Sequence, residues 1–195
     1  MKLNNIFYML LVAVLLSACS ASRKAGKYED ILESRKCWVT EYDSELCDIN
    51  LKCSEVSKFK DGKYIQFQSF SLPGDRDVLF TVTTSGKYNV EYDSELEAFF
   101  INEDLENLQI ENKTTDNSWF KRFDREIRVN YYGDAYDNTD IDEDDDTLYG
   151  LQIIECTGSR LLLKNLEDRE VYDYTPSNLN LIGANLDLIG SPSGT

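Results

Sequence analysis

Five cysteines and no histidine frame the chemistry open to this chain of 195 residues. A thiolate can ligate a metal, act as a nucleophile or join a second thiol. Cys37, Cys47, Cys53 and Cys156 are spaced by ten, six and over a hundred residues, with no C-x-x-C pair. That spacing does not suit zinc, so no metal site is expected. Without histidine the commonest general base is missing, and there is no G-x-S-x-G, no glycine-rich phosphate loop and no H-E-x-x-H. With 36 acidic residues, carboxylate pairs of the kind glycosidases use arise by chance and carry no signal. The expectation is a non-enzymatic protein with no catalytic residue and no cofactor. The stretch Asp134–Asp146 (D-A-Y-D-N-T-D-I-D-E-D-D-D) superficially suggests a calcium loop. An EF-hand begun at Asp140 needs glycine sixth and glutamate twelfth, where Asp145 and Leu151 stand. An exposed, solvated loop between two strands is the reading, with weak calcium binding by pooled charge as its alternative. Trp119, Phe120 and Phe123, interleaved with Lys121, Arg122 and Arg125, fit either an aromatic rim over a cavity or a core anchor at a strand end.

Cys19 has a different setting. Lys2 is followed by an apolar run, Ile6 to Leu16, and then by Ser17, Ala18 and Cys19. The run is short for a membrane span, which takes roughly 20 residues. The sequence L-S-A-C resembles the lipobox of bacterial lipoproteins. The resemblance implies that residues 1–18 are a signal peptide, removed on export, and that Cys19 carries the lipid anchor. Several acyl chains hold a protein firmly where one does not. Ser20, rather than aspartate, implies the outer membrane. With no acidic run directly after the cysteine, the expected orientation is toward the periplasm. Residues 19–27 then form a lipidated, flexible tether, with Arg23, Lys24 and Lys27 near the headgroups. Four cysteines remain, an even number in an oxidising compartment, and three connectivities are open. The expected disulfides are Cys47–Cys53, which closes a short loop, and Cys37–Cys156, which ties the first strand to a late one. The formal net charge of −16 argues against a nucleic-acid partner.

The elements that position these groups read as all-β. Tyr88, Val90 and Tyr92 alternate with polar residues, as do Leu108 and Ile110, and Ile127, Val129 and Tyr131. Period two with one wet face marks antiparallel sheet packed on one side. Further strands are expected at 37–40, 64–70, 78–84, 98–101, 149–156, 160–166 and 170–175. Turn signals separate them at Lys60-Asp61-Gly62, Pro73-Gly74-Asp75, Ser85-Gly86, Asn102-Glu103-Asp104 and Thr157-Gly158-Ser159. Tyr28, Ile31 and Leu32 have helical spacing and predict one short turn before the sheet. The hexapeptide E-Y-D-S-E-L occurs at 41–46 and again at 91–96, which predicts one hairpin type used twice. The result is about ten strands in an antiparallel up-and-down meander over residues 28–176, followed by a tail, 177–195.

Lipobox, tether and one meandering β domain together resemble the lipocalin-like lipoproteins of bacterial envelopes, with Trp38 as the tryptophan of the first strand and L-Y-G-L-Q-I-I-E-C-T-G-S-R-L-L-L-K as the closing hairpin. Lys36 stands where that family has glycine two residues before the tryptophan. The resemblance implies an eight- to ten-stranded barrel and a cavity for a small apolar ligand such as a lipid. Phe67, Tyr88, Val90, Ile127 and Tyr131 are the expected inward, ligand-binding residues. A structural or protein-interaction lipoprotein of the outer membrane, with a filled core, is the alternative.

Overall fold

Strand β1 (Cys37–Leu46) begins a run of hairpins through β2 (Ile49–Lys60), β3 (Lys63–Ser71), β4 (Val78–Asp93) and β5 (Ala98–Asn112). A helix then intervenes before β6 (Leu151–Cys156), β7 (Leu161–Asn165) and β8 (Val171–Ser177). The computed structural model describes residues 20–115, 117–132, 150–166 and 169–179. The signal peptide, Cys19, the acidic stretch Asp134–Asp146 and the tail beyond residue 179 lie outside the described residues. Two helices flank the sheet, α1 over residues 20–33 and α2 over Asn117–Tyr132. All eight strands form one closed antiparallel barrel in sequence order. β8 closes it against β1 through Cys37↔Ser177, Trp38↔Pro176 and Val39↔Thr175. β5 and β6 share only Phe100↔Gln152 and Ile101↔Leu151.

Eight strands rather than ten result because two expected turns lie inside strands, the strand expected at 127–131 is helix, and β2, which the sequence reading did not predict, is added. Ser85-Gly86 lies opposite a bulge in β5: Ser85 pairs with Asn107 and Gly86 with Leu105, which leaves Glu106 as the extra residue of β5. A Cβ at Gly86 would lie 1.9 Å from the Asp104 carbonyl oxygen, so glycine serves close backbone approach here and not chain reversal. Asn102-Glu103-Asp104 runs straight through β5. The expected turn at Asp61-Gly62 is present, with both residues at positive φ.

Two other expectations change. Ile127, Val129 and Tyr131 belong to α2, not to a strand. Phe120, Phe123, Ile127 and Tyr131 recur at three- and four-residue spacing along the helix, Phe123 and Ile127 being buried. Arg128 reaches back to Asp124 one turn earlier, Nε–Oδ2 3.2 Å and Nη2–Oδ1 3.1 Å. The flexible tether expected through residue 27 is helical from residue 20.

Neither expected disulfide is present; all four cysteines are free. The barrel closes through β8, so β6 reaches β1 only across β7 and β8. Three strand spacings put Cys156 about 14 Å from Cys37, and a disulfide needs Cα atoms within about 7 Å. Cys53 pairs with Tyr42, whereas Cys47 sits in the β1–β2 turn, about 15 Å further along the hairpin. The thiols are accounted for singly. Cys37 Sγ donates to the Ser177 carbonyl at 3.3 Å, and Cys156 Sγ approaches that of Tyr28 at 4.0 Å.

The interior divides in two. One apolar cluster gathers Leu32, Trp38, Phe59, Tyr88, Leu161 and their neighbours under α1, and the other gathers Leu51, Phe70, Phe80, Phe123 and Ile127 under α2. Buried polar side chains occupy the layer between them.

Candidate functional site

The middle layer is built by the alternation of β2. Leu51, Cys53, Glu55, Ser57 and Phe59 face inward, and the residues between them do not. Glu55 is therefore a carboxylate on an otherwise core-forming register, only 3% exposed. Burying a charge costs heavily unless hydrogen bonds replace water. Five donors do so here. Oε1 accepts from Tyr174 Oη (2.6 Å), Gln66 Nε2 (2.8 Å) and Ser57 Oγ (2.9 Å). Oε2 accepts from Gln68 Nε2 (3.1 Å) and Tyr42 Oη (3.3 Å). Tyr131 extends the network from α2, donating to Gln68 Oε1 at 3.1 Å. Burial first, and then the Glu55 charge, raises the hydroxyls of Tyr42, Tyr131 and Tyr174 far above the usual phenol range. They donate and do not ionise. Burial also pushes the adjacent Cys53 thiol up to about 12.

A second carboxyl, Glu103, lies on β5. Glu103 pairs with Tyr88 and lies two residues past Ile101, which pairs with Val90. Tyr88, Val90 and Ile101 are all core residues, so the same alternation turns Glu103 inward. It accepts no hydrogen bond from any described residue. Desolvation, then the nearby Glu55 charge, raises its pKa to about 8. By its accessible surface, however, Glu103 is an exposed side chain. No ion pair among the described residues involves Glu55 or Glu103.

Two cavities flank the inner face of α2. The larger, about 470 Å³, is lined by Tyr42, Gln68, Phe70, Val82, Ile127 and Tyr131, with Ser44, Glu45, Asn130, Asn165, Glu170 and Tyr172 toward its mouth. The smaller, about 380 Å³, is more apolar, with Ile49, Leu72, Leu79, Phe80, Phe120 and Phe123 in its wall. Both exceed the roughly 300 Å³ at which small-molecule sites begin. The helix between them is seated by an aromatic stack, Phe70–Phe80 at 4.6 Å and Phe80–Phe123 at 4.9 Å between centroids. It is tied to the β1–β2 turn by Glu126, which accepts from Cys47 N at 3.0 Å and Cys47 Sγ at 2.7 Å.

Of the expected ligand-binding residues, Ile127 and Tyr131 line the larger cavity. Tyr88 and Val90 belong to the other end, packed in the cluster under α1. Phe67 lies between the inward Gln66 and Gln68, so it faces outward beside Val56 and Thr83. The five do not form one site. The polar layer escaped sequence reasoning, although β2 carried its signal: Glu55 stands on the same face as Leu51, Cys53 and Phe59. Among the described residues no group of three or more Cys, Asp or Glu side chains is placed to hold a metal ion.

The fold and site define a closed eight-stranded antiparallel β-barrel consistent with a lipocalin-like fold, with an interior able in principle to house a small apolar ligand. No protein-family model matches the chain, and no curated protein matches it in sequence.

Proposed function

We propose that this chain is a bacterial envelope lipoprotein, anchored by lipid at Cys19 in the outer membrane and facing the periplasm, whose barrel binds a small, largely apolar ligand at the α2 end. The role is non-enzymatic. The observation that carries the reading is the pair of cavities, about 470 and 380 Å³, beside a helix held to the β1–β2 turn through Glu126. The L-S-A-C motif supports the anchor. Native mass spectrometry of the purified protein, with lipid extraction, tests the binding. A defined extra mass that organic solvent removes is expected. A bare protein that also takes up no added amphiphile would end the ligand reading. Metabolic labelling with a fatty acid tests the anchor: wild type should be marked and Cys19→Ser should not.

One observation favours a protein-interaction role instead. Beyond Ile101 the outer edge of β5 has no strand partner among the described residues, and an open edge can receive another chain.

A further inference from the structure

The hydrogen bonds beneath the larger cavity all run one way. A carboxylate has no proton to give, so Glu55 only accepts. Its Oε2 therefore faces the amide nitrogen of Gln68, at 3.1 Å, and the second amide proton of Gln68 goes to Tyr42 Oη, at 3.0 Å. That orientation turns Gln68 Oε1 toward Tyr131, and Tyr131 Oη must donate to it, at 3.1 Å. Tyr42 gives its own proton to Glu55 Oε2 at 3.3 Å. All three side chains line the cavity. Each of their four polar hydrogens is directed at Glu55 or at one another, so what they leave for an occupant is acceptor capacity. Gln68 is buried and the Tyr42 oxygen already accepts from it, whereas Tyr131 keeps accessible surface and accepts from no described residue. Tyr131 Oη is therefore the open end of the chain. A hydroxyl that donates becomes a better acceptor at the same oxygen.

Resting on the proposed binding role, we infer that the larger cavity takes a neutral alcohol with an apolar body, whose O–H donates to Tyr131 Oη and whose chain lies against Phe70, Val82 and Ile127. The new bond extends a relay that runs from the ligand through Tyr131 and Gln68 to Glu55, with every donor directed inward. A carboxylate or phosphate head would set acceptor against acceptor, and a buried acceptor left unmet costs more than a made bond contributes. An ester or ether oxygen has no proton to give and fails in the same way. An ammonium group has protons, but on this floor it would bury its charge against neutral oxygens, because five donors already occupy Glu55.

The test compares isomers. Decanol and nonyl methyl ether contain the same atoms, but only the alcohol has an O–H. Both, together with decanoate, are titrated into the purified protein by calorimetry. A purely apolar site would favour the ether, which gives up fewer hydrogen bonds to water. Decanol should instead bind about fivefold more tightly than the ether, the worth of one hydrogen bond, and decanoate should bind more weakly than decanol. Tyr131→Phe keeps the ring and removes Oη, so it should bring decanol down to the level of the ether and leave the ether unchanged. Ether binding as tightly as decanol to the wild type would overturn the inference while leaving an apolar ligand site intact, and so would decanoate binding as tightly as decanol. A Tyr131→Phe protein that keeps the full preference for decanol would also overturn it, since the proton would then be met elsewhere. Failure of all three ligands to bind the wild type would remove the binding role itself, and the inference with it.

Discussion

The two ends of the barrel are closed by helices of similar length, and they are closed differently. Under α1 the closure is continuous with the core. Leu32 and Trp38 are fully buried, and the Trp38 indole donates to the Leu32 carbonyl at 3.1 Å. Two carboxylates of α1 reach the sheet, Glu29 accepting from Val90 N and Glu33 from Gly62 N, both at 3.0 Å, and Tyr88 Oη adds a bond to Glu33 at 2.8 Å. Lys24 lies over the Phe99 ring, 4.8 Å from its centroid. Under α2 the helix rests on an aromatic stack with a cavity on either side, and Glu126 ties it to the β1–β2 turn. Filled packing holds the α1 end more firmly than the α2 end, because dispersion contacts are lost wherever a void replaces a neighbour.

Substitutions at the two ends should separate them. The largest effect is expected for Trp38→Ala, which removes a fully buried indole and its hydrogen bond at the α1 end. A loss of about 3–5 kcal/mol in urea unfolding is expected; less than about 1 kcal/mol would mean that this end is as loosely filled as the other. Ile127→Ala should cost less, about 2 kcal/mol, because its side chain already borders a cavity. A cost equal to that of Trp38→Ala would erase the distinction. Glu126→Gln should cost about 1 kcal/mol, since it loses the charge but keeps one acceptor. Amide hydrogen exchange should then speed up in α2 and not in α1. Equal acceleration in both helices would show that they open together.

The ends also differ in pH response. Burial opposes ionisation of Glu33, but the bonds from Gly62 and Tyr88 outweigh it and leave the pKa lowered. Its folded state therefore holds fewer protons than the unfolded one. The stability it contributes is present above the unfolded value of 4.5 and is lost as pH falls through the folded value. Glu103 has the opposite sign. Its pKa rises from 4.5 to about 8 on folding, so its contribution is intact below 4.5 and is lost as pH climbs toward 8. Stability should decline from pH 5 to 8, and Glu103→Gln should flatten that decline. An unchanged slope in the variant would move the titration to another group. The smallest effect expected is none: with all four thiols free, reductant should leave the melting temperature unchanged, and a drop would indicate a covalent link.

What the sequence determined by itself is the local part. Alternation along Tyr88, Val90 and Tyr92, the positive-φ turn at Asp61-Gly62 and the succession of hairpins follow from side-chain period and turn chemistry, and they were enough for an all-β antiparallel barrel. Local signals failed where a distant strand had a say. The hexapeptide E-Y-D-S-E-L is strand throughout its first copy, before a two-residue turn at Cys47 and Asp48. In its second copy the strand ends at Asp93, whose carboxylate accepts from Glu95 N and Leu96 N, and the turn has begun. Ile127, Val129 and Tyr131 alternate as a strand would and are helix, because Phe123 and Ile127 find a barrel mouth to fill. Which thiols could meet depended on β8, not β6, reaching β1. Above all, Glu55 is one of 36 acidic residues in the sequence. Register along the β1–β2 and β2–β3 hairpins sets Tyr42, Gln66 and Gln68 beside it, and closure of the barrel brings Tyr174 from β8 onto the same carboxylate. Contacts between strands far apart in the chain are set by register and closure, and neither is written in any local window.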